Sequence, residues 1–192
     1  MEKLATITKH LTFDAAHYLL RSDLSREENL AMFHKCCFYK TDGVDEAHGH
    51  TYHLEVYVTG FISNENGFII DFKDLKRILE EGVVEKLDHR LINNIPYFDK
   101  EKRLATVENI LHYVWDEIQP EIDSLRPNEA WLHKIKIYET PDSFATFDRT
   151  QWDKECLRAK SDFLRKGKRH MTKEDFEQMK KDMEAQYGDS ST

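Results

Sequence analysis

The stretch that most limits how this chain can fold is the run from His48 to Gly60. From Tyr52 its apolar residues alternate (Tyr52, Leu54, Val56, Val58), which is the period of a half-buried strand. His48 and His50 continue the parity of that face. Side chains two apart on a strand point the same way, so both imidazoles can reach one ion. Gly49 between them lets another backbone or a ligand come close. A third histidine, His17, follows Leu11–Ala16. Three histidines with an open fourth position is a common way to hold a catalytic zinc. The plainer alternative is an ordinary strand carrying His-x-His.

The 192 residues suit one domain of ordinary size with an appendage. Hydrophobic residues make up 40% and aromatic residues 11%, enough for a core. Charged residues reach 33%, which points to at least one solvated helical segment. A net charge of −8 argues against a nucleic-acid partner, which would need a basic face. An anionic substrate must therefore be met by a local cluster rather than by the overall field. No signal peptide and no apolar run near membrane-spanning length is present, so a soluble, cytoplasmic protein without a membrane partner is expected. Three cysteines suit reduced thiols better than a disulfide scaffold.

Along the chain, residues 4–13 alternate and predict a first strand. Ser25-Arg-Glu-Glu28 is a capping-box pattern that opens a helix from Arg26 to about Lys35. Residues 38–47 read as an irregular loop, followed by the His48–Gly60 strand and a turn at Asn64–Gly67. A helix follows with Phe72, Leu75, Ile78, Leu79, Val83 and Leu87 on one face. Asp88–Pro96 reads as a polar turn. A second long helix is expected from Val107 to Ile118, capped by Thr106 and ended near Pro120. Residues 131–139 predict a strand with Trp131, His133, Ile135, Ile137 and Glu139 on one face, and Phe144–Phe147 a short last strand. The order β-β-α-α-β-β predicts an α+β fold, an antiparallel four-stranded sheet with two helices on one face. Exposed edges of such a sheet call for pairing between subunits. Residues 1–150 form this domain. Residues 151–192 form a charged, helical extension, with six basic residues and one acid between Arg158 and Arg169. Within it, Thr172–Asp175 caps an amphipathic helix carrying Phe176, Met179, Met183 and Tyr187.

Several polar residues stand where they can do chemistry. Cys36 and Cys37 precede the loop that delivers His48. A thiol becomes a useful base or nucleophile when a nearby cation or metal lowers its pKa; a fourth cysteine ligand would instead close a structural zinc site, and a buried pair of small residues is the bland alternative. Asp88–His89 places a carboxylate beside an imidazole, a combination that tunes or relays a proton when both lie within reach of the reacting group. Glu139, before Thr140-Pro141, can accept two N–H bonds from a flat heterocycle or serve as a surface acid. His10, His53, His112, His133 and His170 read as structural or exposed.

Taken together these residues resemble the 6-pyruvoyltetrahydropterin and 6-carboxytetrahydropterin synthase family. The resemblance runs from about Thr12 to Phe147 through Phe13–His17, Leu24–Leu30, His34-Lys-Cys36, His48-Gly-His50, Gly67–Phe72, Leu87-Asp-His89, Thr106-Val-Glu-Asn109 and Tyr138-Glu-Thr140. It implies zinc held by His17, His48 and His50, and a catalytic thiol at Cys36. It also implies that Asp88 and His89 assist proton transfer across a subunit boundary. Glu139 would anchor the pterin ring, with Thr106 in a segment beside it. The implied fold is the tunnelling fold, whose trimers close sheets into a barrel and stack as a homo-hexamer. The implied substrate is 7,8-dihydroneopterin triphosphate. The pyruvoyl branch eliminates triphosphate after internal redox. The carboxy branch also releases acetaldehyde on the route to queuosine and other deazapurines.

The chain departs from the family pattern in three places. Eleven residues separate Cys36 from His48, more than the family usually spends. Cys37 doubles the thiol, and Glu46 is a rival base. The tail has no counterpart. Gly67–Phe72 resembles the carboxy type, whereas Leu24–Leu30 and the long cysteine loop resemble the animal pyruvoyl type. On balance the resemblance leans to 6-carboxytetrahydropterin synthase. The competing classes are a pterin- or metal-binding relative without turnover and a structural zinc protein.

Overall fold

Two fourteen-residue strands, β1 (Leu4–His17) and β4 (His48–Phe61), run antiparallel over their whole length, from Leu4 opposite Phe61 to His17 opposite His48. They form the spine of a computed structural model that describes residues 3–37, 40–41, 44–45, 47–98 and 103–165, with backbone alone for 34–37, 40–41, 44–45 and 160–165. Strand β6 (Ala130–Thr140) pairs with β4, and β7 (Ser143–Asp148) returns antiparallel along β6. On the other side, β5 (Arg90–Leu91) lies parallel to Ala15–Ala16. The sheet is thus five-stranded in the order β5-β1-β4-β6-β7, not four-stranded as the sequence predicts. A two-residue strand has no periodicity to read; only its pairing with β1 creates it. A separate ribbon joins β2 (Lys40–Thr41) and β3 (Val44–Asp45) within the stretch expected to be an irregular loop.

Helix α1 (Arg26–Cys37) begins at the expected capping box: Glu28 N–H donates to Ser25 Oγ at 3.2 Å, and Ser25 N–H to Glu28 Oε2 at 2.8 Å. Helix α2 (Phe72–Leu79) is capped by Asp71, whose carboxylate accepts the Lys73 N–H. It continues through one π-helical turn (Glu80–Val84) into α3 (Glu85–Leu87). The wider turn keeps Leu75, Leu79, Val83 and Leu87 all buried.

Helix α4 (Val107–Leu125) starts at the Thr106 cap but runs past Pro120. An interior proline costs a helix about 3 kcal/mol. Beyond it Ile122 is fully buried and Leu125 packs on the core. Each apolar side chain so buried gives about 1.5–3 kcal/mol, so the packing outweighs the break.

Strand β6 does not keep one parity. Its pairing with β4 shifts between Tyr57 and Val58, which face Lys134 and Leu132, so His133 has no partner. The extra residue flips the alternation. Ala130 and Leu132 therefore share the core side with Ile135 and Ile137, whereas Trp131 is half-buried and His133 exposed. The predicted Trp131–His133–Ile135 face is split at this bulge.

Helices α2 and α4 cover one side of the sheet, packing on Phe13, Tyr52, Leu54, Val56 and Ile137. The other side carries exposed Thr12, Asp14, Thr51 and His53. Helix α5 (Arg149–Arg165) starts directly after β7 and lays Trp152 on the core. The predicted Thr172–Tyr187 helix lies outside the described residues. Among the described residues no helix is long and apolar enough to cross a membrane.

Candidate metal centre and its surroundings

The β1–β4 register sets His17 directly opposite His48, and His50 opposite Ala15. All three imidazoles point to the helix-covered side, where one ring nitrogen from each lies within 4.8 Å of the other two. His17 Nε2 and His48 Nε2 are 3.1 Å apart. Nitrogens about 2.1 Å from a tetrahedral zinc would stand about 3.4 Å apart, so small rotations of these rings suffice to share an ion. His50 Nε2 is buried and makes no hydrogen bond among the described residues. A buried nitrogen left unpaired is costly, and coordination would relieve it. The donor set fits a divalent metal of the zinc type. A Cβ at Gly49 would meet only the Ala15 carbonyl, at 3.7 Å. Among the described residues nothing comes closer to that Cβ position than this ordinary contact.

Protonation favours ligation. His17 is 3% exposed, and its pKa is lowered from the ordinary 6.5, mainly by burial. His48 is lowered by burial and by the neighbouring His17 and His50. Neutral imidazoles are the form that binds a metal. His17 Nδ1 lies 2.5 Å from the Ala105 carbonyl. A carbonyl accepts only, so Nδ1 carries the proton and the Nε2 lone pair faces the cluster. Holding the second ring nitrogen in this way orients a metal-binding histidine.

Glu139, near the end of β6, joins the cluster. Its Oε1 is 3.3 Å from His17 Nε2 and 3.7 Å from His50 Nε2. Beneath the histidines lies the buried Tyr52 ring, stacked on Phe13. Burial, then the Glu139 charge, raises the Tyr52 hydroxyl well above its ordinary range.

Asp88 and His89 touch each other but not this cluster. Asp88 Oδ1 accepts the Asp14 N–H at 2.8 Å, and Oδ2 lies 2.7 Å from His89 Nδ1. His89 N–H donates to the Asp14 carbonyl at 2.6 Å. His89 adopts a left-handed backbone with φ 55, and this lets its ring fold back onto Asp88. The Asp14 N–H, then His89, holds the Asp88 carboxyl below its ordinary pKa. The His89 side chain is 78% exposed. Within one chain the pair presents outward from the β1–β5 edge.

Of the other predicted residues, Thr106 caps α4 with its hydroxyl. Cys36 lies at the C-terminal end of α1; its thiol, and Cys37 and Glu46, fall outside the described side chains. His10 and His53 are exposed as expected, and half-buried His112 packs on the Phe147 ring. Two concavities, of about 660 and 560 Å³, lie at the Asn64–Asp74 turn and beside His10, His53 and Tyr138. Neither contains the histidine cluster.

Three asparagines missed by sequence reasoning build the surroundings. Asn29, fully buried, donates to the Arg21, Leu24 and Ser25 carbonyls and accepts the Arg21 N–H. The Asn93 amide bonds both the N–H and the carbonyl of Tyr18, next to His17. Asn109 donates to the Leu104 carbonyl. Asn29 and Asn109 fall within the Leu24–Leu30 and Thr106–Asn109 blocks, but an amide within the first turns of a helix commonly just caps, and neither block marks its partner.

The sequence model of the 6-pyruvoyl tetrahydropterin synthase family matches residues 6–150. The 6-pyruvoyl tetrahydrobiopterin synthase of Homo sapiens is 33% identical over 144 residues, covering 74% of this chain and 90% of the human protein. The 6-carboxy-5,6,7,8-tetrahydropterin synthase of Bacillus subtilis is 25% identical, covering 65% and 84%. The structure of Caenorhabditis elegans 6-pyruvoyl tetrahydropterin synthase aligns with a TM-score of 0.63 at 28% identity, covering 76% of this chain and 96% of that one.

Proposed function

The chain belongs to the 6-pyruvoyl tetrahydropterin synthase family, and from that premise we propose that it is a zinc-dependent lyase acting on 7,8-dihydroneopterin triphosphate. The observation that carries this reading is the convergence of His17, His48 and His50 within 4.8 Å, with the Glu139 carboxylate 3.3 Å from His17. Sequence similarity favours the pyruvoyl product, since the human pyruvoyl enzyme is 33% identical against 25% for the Bacillus carboxy enzyme. This shifts the balance from the carboxy branch, to which the sequence alone leans through Gly67–Phe72.

Bound zinc would supply Lewis acidity, drawing electron density from a substrate side-chain oxygen and making the neighbouring C–H more acidic. The chain's own residues do the rest. Glu139 accepts N–H bonds from the flat pterin and sets its side chain over the histidines. Cys36, as a thiolate, removes the proton from carbon, and the electron pair left behind expels triphosphate from the adjacent carbon. Asp88 fixes the His89 ring through Nδ1, so that Nε2 is free to give or take a proton.

The His89 side chain is 78% exposed and, among the described residues, stands apart from the group formed by His17, His48 and His50. That placement suits a pair serving a neighbouring subunit's centre in a homo-hexamer. The outer strands β5 and β7, unpaired on one side among the described residues, suit the same assembly, since unpaired strands invite a partner. The 151–192 extension would then be an appendage to the 1–150 catalytic unit.

The test is to incubate the zinc-loaded protein with dihydroneopterin triphosphate and identify products by mass spectrometry. Release of triphosphate with a pyruvoyl pterin supports the reading. Acetaldehyde with a carboxypterin moves it to the carboxy branch. Binding without triphosphate release would make the chain a non-catalytic relative.

A further inference from the structure

We propose that Asn109 is a positioning residue for the metal centre: it fixes the Leu104–Thr106 turn so that the Ala105 carbonyl holds His17 in its metal-binding tautomer. The inference rests on the zinc reading above only for the identity of the ion.

The geometry is a short chain of hydrogen bonds from helix to ligand. The Leu104 carbonyl accepts two N–H groups, from Thr106 N at 2.8 Å and from Asn109 Nδ2 at 2.8 Å. The first closes a three-residue turn with Ala105 at its centre. The second ties that turn to the first turn of α4. Asn109 N–H also donates to Thr106 Oγ1, so the asparagine grips the segment at both ends. Ala105 is fully buried, and its carbonyl precedes the first intrahelical acceptor, Thr106 O, which takes the Ile110 N–H. The Ala105 carbonyl is therefore outside the helix ladder and turns to His17 Nδ1, 2.5 Å away. With the turn displaced, His17 Nδ1 would lose its acceptor in a buried place. The proton would then be free to sit on Nε2, the nitrogen that faces His48 and Glu139.

A capping role alone would also place an asparagine here, and one substitution separates the two. Asn109 is the third residue of α4, where an acidic side chain suits the helix dipole. Asn109→Asp thus keeps or improves the helix start but cannot donate to the Leu104 carbonyl. Asn109→Ala removes the donor without adding charge and controls for any attraction between an aspartate and the ion. Circular dichroism identifies which variants are folded, and either folded variant serves for the measurements that follow.

Two measurements decide the matter: zinc dissociation by competition with a chelator, and the His17 tautomer from imidazole ¹⁵N shifts of the metal-free protein above pH 7.5. We expect zinc affinity to fall by about 10–100-fold, the range for groups that orient a ligand. We also expect the His17 Nδ1–H signature of the wild type to give way to a tautomer mixture. Zinc affinity within twofold of the wild type in a folded variant overturns the proposal. So does weaker zinc binding with an unchanged tautomer. If the wild-type chain itself takes up no zinc, the metal reading has failed, and the tautomer measurement still tests the link from Asn109 to His17.

Discussion

Glu139 Oε1 stands 3.3 Å from His17 Nε2, bringing the end of β6 onto the His17 end of β1. A partly exposed carboxylate beside neutral imidazoles has acceptor capacity to spare, which suits a group waiting for the N–H donors of a heterocycle. Hydrogen bonds to a charged group are worth about 1.5–3 kcal/mol. Glu139→Gln should therefore lower kcat/KM by about 10–150-fold, while zinc content stays near that of the wild type. Steady-state kinetics with parallel metal analysis checks this. Lost zinc with unchanged pterin affinity would make Glu139 a metal ligand instead of a substrate anchor.

The thiol assignment is tested by separating the neighbours Cys36 and Cys37. A positioned base contributes about 10²–10⁴-fold to rate. Cys36→Ala should cut turnover by that factor and leave zinc stoichiometry alone, whereas Cys37→Ala should keep most of the activity. The reverse pattern would shift the base to Cys37. Loss of zinc in Cys36→Ala would point to a closed, structural centre.

The three-histidine cluster was legible because it is written in a period-2 code. His48 and His50 share the parity of Tyr52 and Leu54, and the pairing that brings His17 to them follows from two long antiparallel strands. The capping box at Ser25 and the Thr106 cap were legible from local sequence as well. What the sequence concealed depends on tertiary pairing. Strand β5 exists only because Arg90 and Leu91 meet Ala15 and Ala16. The bulge at His133 leaves the local pattern ambiguous. The contact between Asp88 and His89 depends on a left-handed backbone at His89, which nothing in Leu87-Asp-His89 announces. The Ala105 carbonyl has no side-chain signature at all.

Acid should weaken the histidine cluster's contribution to the metal-free fold. His17 and His48 are held below their ordinary pKa of 6.5, so near pH 6 these two sites bind more protons in the unfolded chain than in the folded one. Their contribution rises with pH in this window: it is complete above about pH 6.5 and is lost as pH falls toward the lower folded values. The Asp116 carboxyl, raised to about 7 by desolvation, works in the opposite sense, so the test compares two proteins: the melting temperature of the metal-free wild type minus that of His17→Gln should drop between pH 7 and pH 5.5. Zinc affinity should fall over the same range because protons compete for the same nitrogens. A melting-temperature difference that stays level or grows on acidification through this window would refute the assignment of neutral histidines.

The helix that carries Cys36 is anchored at its far end by Asn29, and this gives the last prediction. Asn29 is fully buried, with its amide donating to the Arg21, Leu24 and Ser25 carbonyls and its Oδ1 accepting the Arg21 N–H at 2.8 Å. Asn29→Ala takes the partner from the Leu24 carbonyl and the Arg21 N–H, while the Arg21 and Ser25 carbonyls keep the backbone N–H groups of Leu24, at 3.3 Å, and of residue 29, at 2.9 Å. An unsatisfied buried group costs about 1–3 kcal/mol, so a total of about 2–4 kcal/mol is expected, or about 5–15 °C in Tm for a chain of this size. Asn29→Asp should not rescue it, since a carboxylate would face three carbonyl oxygens with no proton to donate. Because the anchored residues lead from Tyr18, beside His17, into α1, turnover should fall further than zinc content does. Calorimetry together with activity and metal assays reads both effects. A Tm within 2 °C of the wild type would show that water satisfies the Arg21–Ser25 backbone as well as Asn29 does, and that the placement of α1 does not depend on this amide.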